Sequence, residues 1–326
     1  MLKPLLLSIL IISCNAISKD NLSSMGKIEV LDPSFKKIID PSAKIEKLAE
    51  GLTWAEGPVW INDGHYLLFS DPTKNTIFQW SEKNGLQEFL NPSGYEGNDR
   101  YSDEPGTNGL IVNNEGFLIA CDHGNRRIAK ISMKTKMKES FVDHWDGKRF
   151  NSPNDICQHS NGDYYFTDPP YGLPGREKDT INREIKANGV YRINSEREVF
   201  QIISNLDRPN GIAISEDGMK LYVALSSGEN PYIMSYNIQN DGAVGEGEIF
   251  FNFRQQFPDE PMAADGIKVD KNGNVYAAAG DGIIVINNQG KAIGRIRPGV
   301  HTANCNFGDG FLYMTSKDQL FRVKLK

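Results

Sequence analysis

Six times along the 326 residues, a small acidic or amide residue opens an apolar strand, a turn carrying Gly follows, and a second apolar strand comes next. The copies start at Glu56 (EGPVWINDGHYLLFS), Asn108 (NGLIVNNEGFLIA), Asn154 (NDICQHSNGDYYFT), Asn210 (NGIAISEDGMKLYVA), Asp265 (DGIKVDKNGNVYAA) and Asn304 (NCNFGDGFLYMTS). A hairpin period of roughly 40–55 residues marks a repeat architecture in which each copy is one blade of a propeller. The fold class expected is all-β, a six-bladed β-propeller. The six openers should then recur at one place around a common axis and aim oxygen-bearing side chains at its centre.

Each copy is flanked by two further strand-like runs. One precedes it, such as KIEKLAEG (44–51) or GLQEFLN (85–91), and one follows it, such as NTIFQWS (75–81) or RIAKISM (127–133). Four alternating, β-branched or aromatic strands make a blade. If each blade takes its outermost strand from the start of the next unit, the last blade lacks one, and the N-terminal KIEKLAEG supplies it. That closure removes the exposed sheet edges of an open array. Two loops are too long for simple connectors, 91–107 and 167–188, and long loops in compact domains tend to carry function.

The first residues read differently. One Lys, the apolar run from Leu5 to Ile12 and then Ser13-Cys14 form a secretory segment too short to span a bilayer. Ile11-Ile12-Ser13-Cys14 resembles a bacterial lipobox, with Cys14 as the lipidated residue. The domain reading is a lipoprotein-type signal peptide over 1–13, a polar tether over 14–43 and the propeller over 44–326. The product is expected to be exported and lipid-anchored, in the periplasm or at the cell surface, touching membrane through that lipid alone. Cys121, Cys157 and Cys305 lie in or beside apolar strands without zinc spacing and read as small buried hydrophobes. A net charge of −6 argues against a nucleic-acid partner. No obligate protein partner is evident.

Glu56, Asn154, Asn210 and Asp265 offer two carboxylates and two amides, with no thiolate. Such a set suits one hard divalent ion, Ca2+ first, with Zn2+, Mn2+ or Mg2+ also accepted by oxygen donors. Two carboxylates close together without a cation would drive one pKa sharply upward. One such residue would be explained as a turn cap; matched positions in several repeats argue for a site.

The runs EGPVW, NGLIV, CDHGNRRI, SPNDI, FTDPPYGL, RPNGIAIS and ADGIKVD resemble the regucalcin/gluconolactonase (SMP-30-like) family of lactone hydrolases, in its bacterial gluconolactonase branch. The likeness spans about 45–326. It implies a six-bladed propeller with a single catalytic divalent metal on its axis, held by Glu56, Asn154, Asn210 and Asp265. It makes Asp265 both ligand and acid/base, and Asn108, in TNG, a substrate contact. His123 is similar to a channel His of the related paraoxonases and stands as the second candidate base. Arg126 or Arg127 would anchor a polyol or carboxylate. Asp168, ahead of two prolines, would form a turn and is carried as a further substrate contact.

The reaction implied is attack of water on a sugar-lactone carbonyl, with a cation stabilising the oxyanion and a carboxylate or imidazole removing the proton. A phosphotriesterase or aryl-esterase would use the same site. A cell-surface binding propeller with a structural ion is the reading from another class. No GxSxG motif is present for serine catalysis, and GDGII opens no helix for a phosphate cradle.

Overall fold

The computed structural model describes residues 26–326. The segment 1–13 expected to be a signal peptide, Cys14 and residues 15–25 lie outside the described residues.

Alternation with period two sends neighbouring side chains of a strand to opposite faces. In the second copy Leu118 and Ala120 pack toward the first blade, while Ile119 and Cys121 pack toward the third. Every strand in the middle of a blade therefore serves two cores. The described residues contain six apolar clusters, one between each pair of neighbouring blades. The structure is thus a six-bladed β-propeller. The inner strands follow one another around the axis, from Glu56–Ile61 through Thr107–Val112, Ile156–Gln158, Pro209–Ile214 and Ala264–Val269 to Asn304–Gly308, which returns to the first.

The last blade closes as the sequence led us to expect. Strand β2 (Ile45–Glu50) pairs antiparallel with the C-terminal strand Gln319–Lys324, placing Ile45 opposite Val323. Residues 27–43, expected within a polar tether, are instead built into the body. Strand β1 (Lys27–Val30) adds a fifth strand to the fifth blade, pairing with Ala292–Arg297. A 3-10 turn at Pro33–Lys37 then seats Phe35, fully buried with Ile39, in the cluster between the fifth and sixth blades. The physical reason is the open sheet edge: Ile28 and Val30 cover it, and two well-spaced apolar side chains anchor the segment behind it.

Four inner strands begin with a break in register, between Glu56 and Val59, Thr107 and Leu110, Pro209 and Ile212, and Ala264 and Ile267. A bulge bends the strand and re-aims a side chain. Here it turns four of the openers toward the axis, while Asn154 stands ahead of an unbroken strand pair.

Candidate active site

The ring of openers is tight enough to dictate its neighbours. Gly57 has φ +43, and a Cβ there would lie 2.1 Å from the Asn108 carbonyl oxygen. One at Gly211 would lie 2.4 Å from the Asp265 carbonyl oxygen. Only Gly fits where the next blade's backbone comes this close. Hydroxyls from second strands tie the ring together. Ser70 Oγ donates to the Asn108 carbonyl at 2.7 Å, Thr167 Oγ1 to that of Asn210 at 2.7 Å, and Ser226 Oγ to that of Ala264 at 2.7 Å.

At the mouth of this ring lies a cavity of about 240 Å³ lined by Glu56, Asn108, Asn154, Asn210 and Asp265. Five of the six openers therefore converge. The sixth does not. Asn304–Gly308 pairs with Phe311–Ser316 in unbroken register, and the Asn304 side chain lies against Gly266, where Lys268 Nζ donates to its Oδ1 at 3.3 Å.

Glu56 is buried, and Asp265 is partly buried with its Oδ1 shut off from solvent. Trp54 Nε1 donates to Glu56 Oε1 at 3.3 Å and the Gly57 N–H to Oε2 at 3.2 Å. Burial, then the charge of Asp265, pushes the Glu56 carboxyl well above the usual range. Burial likewise holds Asp265 up at about 7, eased by Asn210 beside it and raised further by Asp155 and Glu104. Asp265 Oδ1 has no hydrogen-bond partner. The Asn210 amide nitrogen donates to Ser226 Oγ at 2.9 Å, and the amide oxygen is left to ligate a cation. An orphaned buried carboxylate oxygen beside a second buried carboxylate is a strained arrangement that a hard cation relieves. Glu56, Asn154, Asn210 and Asp265 fit that group.

Four expected site residues are not at the cavity. Arg127 sits directly across the strand pair from Asp122, and its Nε donates to the buried Asp122 Oδ2 at 2.9 Å. It is a cross-strand ion pair, so no polyol anchor remains. Arg126 is also committed, its Nε donating to the Phe150 carbonyl at 2.7 Å. Asp168 is fully buried, raised to about 7 by burial, and accepts the Asn151 N–H at 2.8 Å. It holds the turn that carries Asn154. His123 is fully buried one layer behind the cavity, its two ring nitrogens unpaired and its pKa driven down to about 3 by burial and then by Arg176.

Both long loops supply lining residues that sequence reasoning did not single out, Glu104 from the first and Tyr171 from the second. Trp54, Arg208 and Ser226 complete the wall. Loop length was the only signal for Glu104 and Tyr171, and it named no residue. Cys121, Cys157 and Cys305 are free thiols.

Residues 54–318 match the family model described as SMP-30/Gluconolactonase/LRE-like region. The chain is 38% identical over 322 residues to a gluconolactonase of Zymomonas mobilis, covering 95% of this chain and 89% of that one. Among solved structures it is similar to a gluconolactonase of Xanthomonas campestris, with a TM-score of 0.81 at 26% identity, covering 94% of this chain and 97% of the other. It is also similar in fold to the calcium-binding protein regucalcin of Agrobacterium tumefaciens, with a TM-score of 0.68 at 16% identity over 86% of this chain and 94% of that one.

Proposed function

The chain belongs to the SMP-30/gluconolactonase/LRE-like family and is a lactone hydrolase, and from that premise we propose that it opens a sugar lactone with one divalent cation held by Glu56, Asn154, Asn210 and Asp265. The observation that carries the cation is the buried, unpartnered Asp265 Oδ1 beside Glu56 in an oxygen-lined cavity. Calcium is the first choice, because every donor is oxygen and two are neutral amides.

When bound, the cation supplies a fixed positive charge that favours negative charge on the lactone carbonyl oxygen. Asn108 orients the carbonyl or a neighbouring hydroxyl through its side-chain amide. Asp265 takes a proton from the attacking water as the new C–O bond forms. The ring C–O bond then breaks, and its oxygen leaves with a proton as the hydroxyl of the hydroxy acid. Trp54 and Tyr171 supply the aromatic part of the cavity wall. Amides, Arg208 and Glu104 around the rim suit a polyol.

Purified protein should hydrolyse glucono-1,5-lactone above the spontaneous rate, and chelator should remove that activity. Asp265→Ala should lose at least about 100-fold. Full turnover in Asp265→Ala at saturating calcium would end the base assignment, and chelator-insensitive turnover would end the cation. The lipobox-like tetrad ending at Cys14 supports export and lipid anchoring as part of the same proposal. Detergent partitioning lost in Cys14→Ala is the corresponding check.

A further inference from the structure

The cavity holds a carboxylic acid beyond the acidic openers. Glu104 reaches the cavity wall from the loop between the first and second blades, and that loop is tied down on both sides of it. Upstream, the Glu104 N–H donates to Ser102 Oγ at 3.3 Å. Downstream, the Pro105 carbonyl accepts the Tyr95 N–H at 2.8 Å, the Gly106 N–H donates to the Pro72 carbonyl at 2.9 Å, and the His123 N–H donates to the Gly106 carbonyl at 3.2 Å. Arg176 from the other long loop donates to Glu104 Oε1 at 3.0 Å. Oε2 faces the ring of His123, whose Nδ1 lies 3.6 Å away. That ring is fully buried, and neither of its nitrogens has a partner. A Cβ on Gly172 would lie 2.5 Å from the His123 Cβ, so the second loop presses His123 into place against Glu104.

Resting on the lactonase reading above, we propose that Glu104 is the catalytic acid that protonates the departing ring oxygen, with His123 a positioning residue packed against its carboxyl.

The need for such an acid follows from the leaving group. A sugar lactone expels an alkoxide, a very poor leaving group unless it receives a proton as the C–O bond breaks. Asp265 has taken one proton from water. The ring oxygen needs one, and Glu104 gives it. One turnover leaves Asp265 protonated and Glu104 ionised, and exchange with solvent resets both while the product acid loses its proton to water. Two carboxyls held in different environments of one cavity are how an acid and a base coexist at one pH.

The groups facing Glu104 agree with this role. Arg176 and, at longer range, Asp103 are its charged neighbours, Asp265 stands across the cavity, and His123 is neutral. Burial dominates and raises the Glu104 carboxyl to about 7, against the opposing pull of Arg176. At 3.6 Å the His123 ring makes no hydrogen bond to the Glu104 carboxyl; it is a neutral wall that keeps water from that side of it.

Glu104→Gln separates the role from a structural one when two six-membered lactones are compared, glucono-1,5-lactone with its alkoxide leaving group and dihydrocoumarin with its phenoxide. Phenoxide departs without help. The variant should lose about 100-fold on gluconolactone while changing about threefold or less on dihydrocoumarin. Its residual gluconolactone rate should also lack the fall above pH 7 that the unmodified protein shows once Glu104 ionises. His123→Ala should move that fall to lower pH, because water reaches the carboxyl, whereas His123→Leu, which keeps the wall apolar, should leave it near pH 7. Unchanged gluconolactone turnover in Glu104→Gln overturns the proposal. So does an equal loss on both lactones with the alkaline fall intact. Selective loss of gluconolactone in Tyr171→Phe instead of Glu104→Gln reassigns the acid to the tyrosine. If the unmodified protein opens gluconolactone but not dihydrocoumarin, the pH profile alone decides. If it opens neither, the lactonase reading has failed and not this one.

Discussion

The Asp168 carboxylate accepts the backbone N–H of Asn151 at 2.8 Å, and Asn151 returns its side-chain amide to the Asp168 carbonyl at 3.2 Å. Ser152 joins the same lock, donating to the Pro169 carbonyl at 2.6 Å and accepting the Gly172 N–H at 2.8 Å. The segment from Asn151 to Asn154 is thereby fixed where its last side chain reaches the cavity. Asp168→Ala leaves a buried N–H without an acceptor, which costs about 1–3 kcal/mol. Denaturant unfolding should show that loss, and calcium titration should show weaker binding in the same variant. A raised KM for the lactone with stability and calcium affinity intact would return Asp168 to the substrate.

Phe35 makes the strongest case that the segment before the propeller proper belongs to it. Its ring is fully buried, and it lies so close to Gly294 that a Cβ there would sit 2.3 Å from the Phe35 Cδ1. A buried Phe cut back to Ala costs about 3–5 kcal/mol, whereas an exposed tether position would change stability by less than about 0.5 kcal/mol. Urea melts of Phe35→Ala distinguish these directly. A midpoint equal to that of the unmodified protein would detach the segment from the fold.

The blades were legible because hairpins with period-two alternation and Gly turns are written locally, and each outer strand sat where the pattern put it. The closing strand Ile45–Glu50 was legible by counting, since five blades found an outer strand and the sixth needed one. The opening motif of Asn304 looks like the others, but four of the five converging openers are aimed by a break in register, and Asn154 by lying ahead of its strand, neither of which a motif spells out. The sixth inner strand pairs without that break. Arg127 failed for a related reason. Its partner Asp122 is five residues away in sequence but directly opposite across the hairpin, and the pair satisfies itself. His123 was found by resemblance, yet its depth depends on Glu104 and Gly172 from two loops packed over it. Residues 27–43 read as tether because their apolar side chains are sparse. Sparse anchors suffice for a strand added to an existing sheet edge.

The acidic pair makes stability depend on pH in a direction that reveals the cation. Glu56 sits well above the ordinary carboxyl range and Asp265 at about 7, both chiefly through burial. In the unfolded chain such groups titrate near about 4. Between those values the folded protein binds more protons than the unfolded chain, so raising the pH favours unfolding. Without a cation, this contribution is present in full below about pH 4 and is lost as pH climbs through about 7. A divalent ion bound to the ionised carboxylates reverses the preference, because it stabilises the form that burial alone opposes. In chelator, the melting temperature should therefore fall by several degrees from pH 5 to 7.5. Millimolar calcium should remove most of that fall, and Asp265→Asn should shrink it without calcium. Calcium binding at pH 6 should also release protons, which calorimetry in buffers of different ionisation enthalpy reads directly. A melting temperature indifferent to both pH and calcium across this range would mean that the two carboxylates neither oppose each other nor share an ion.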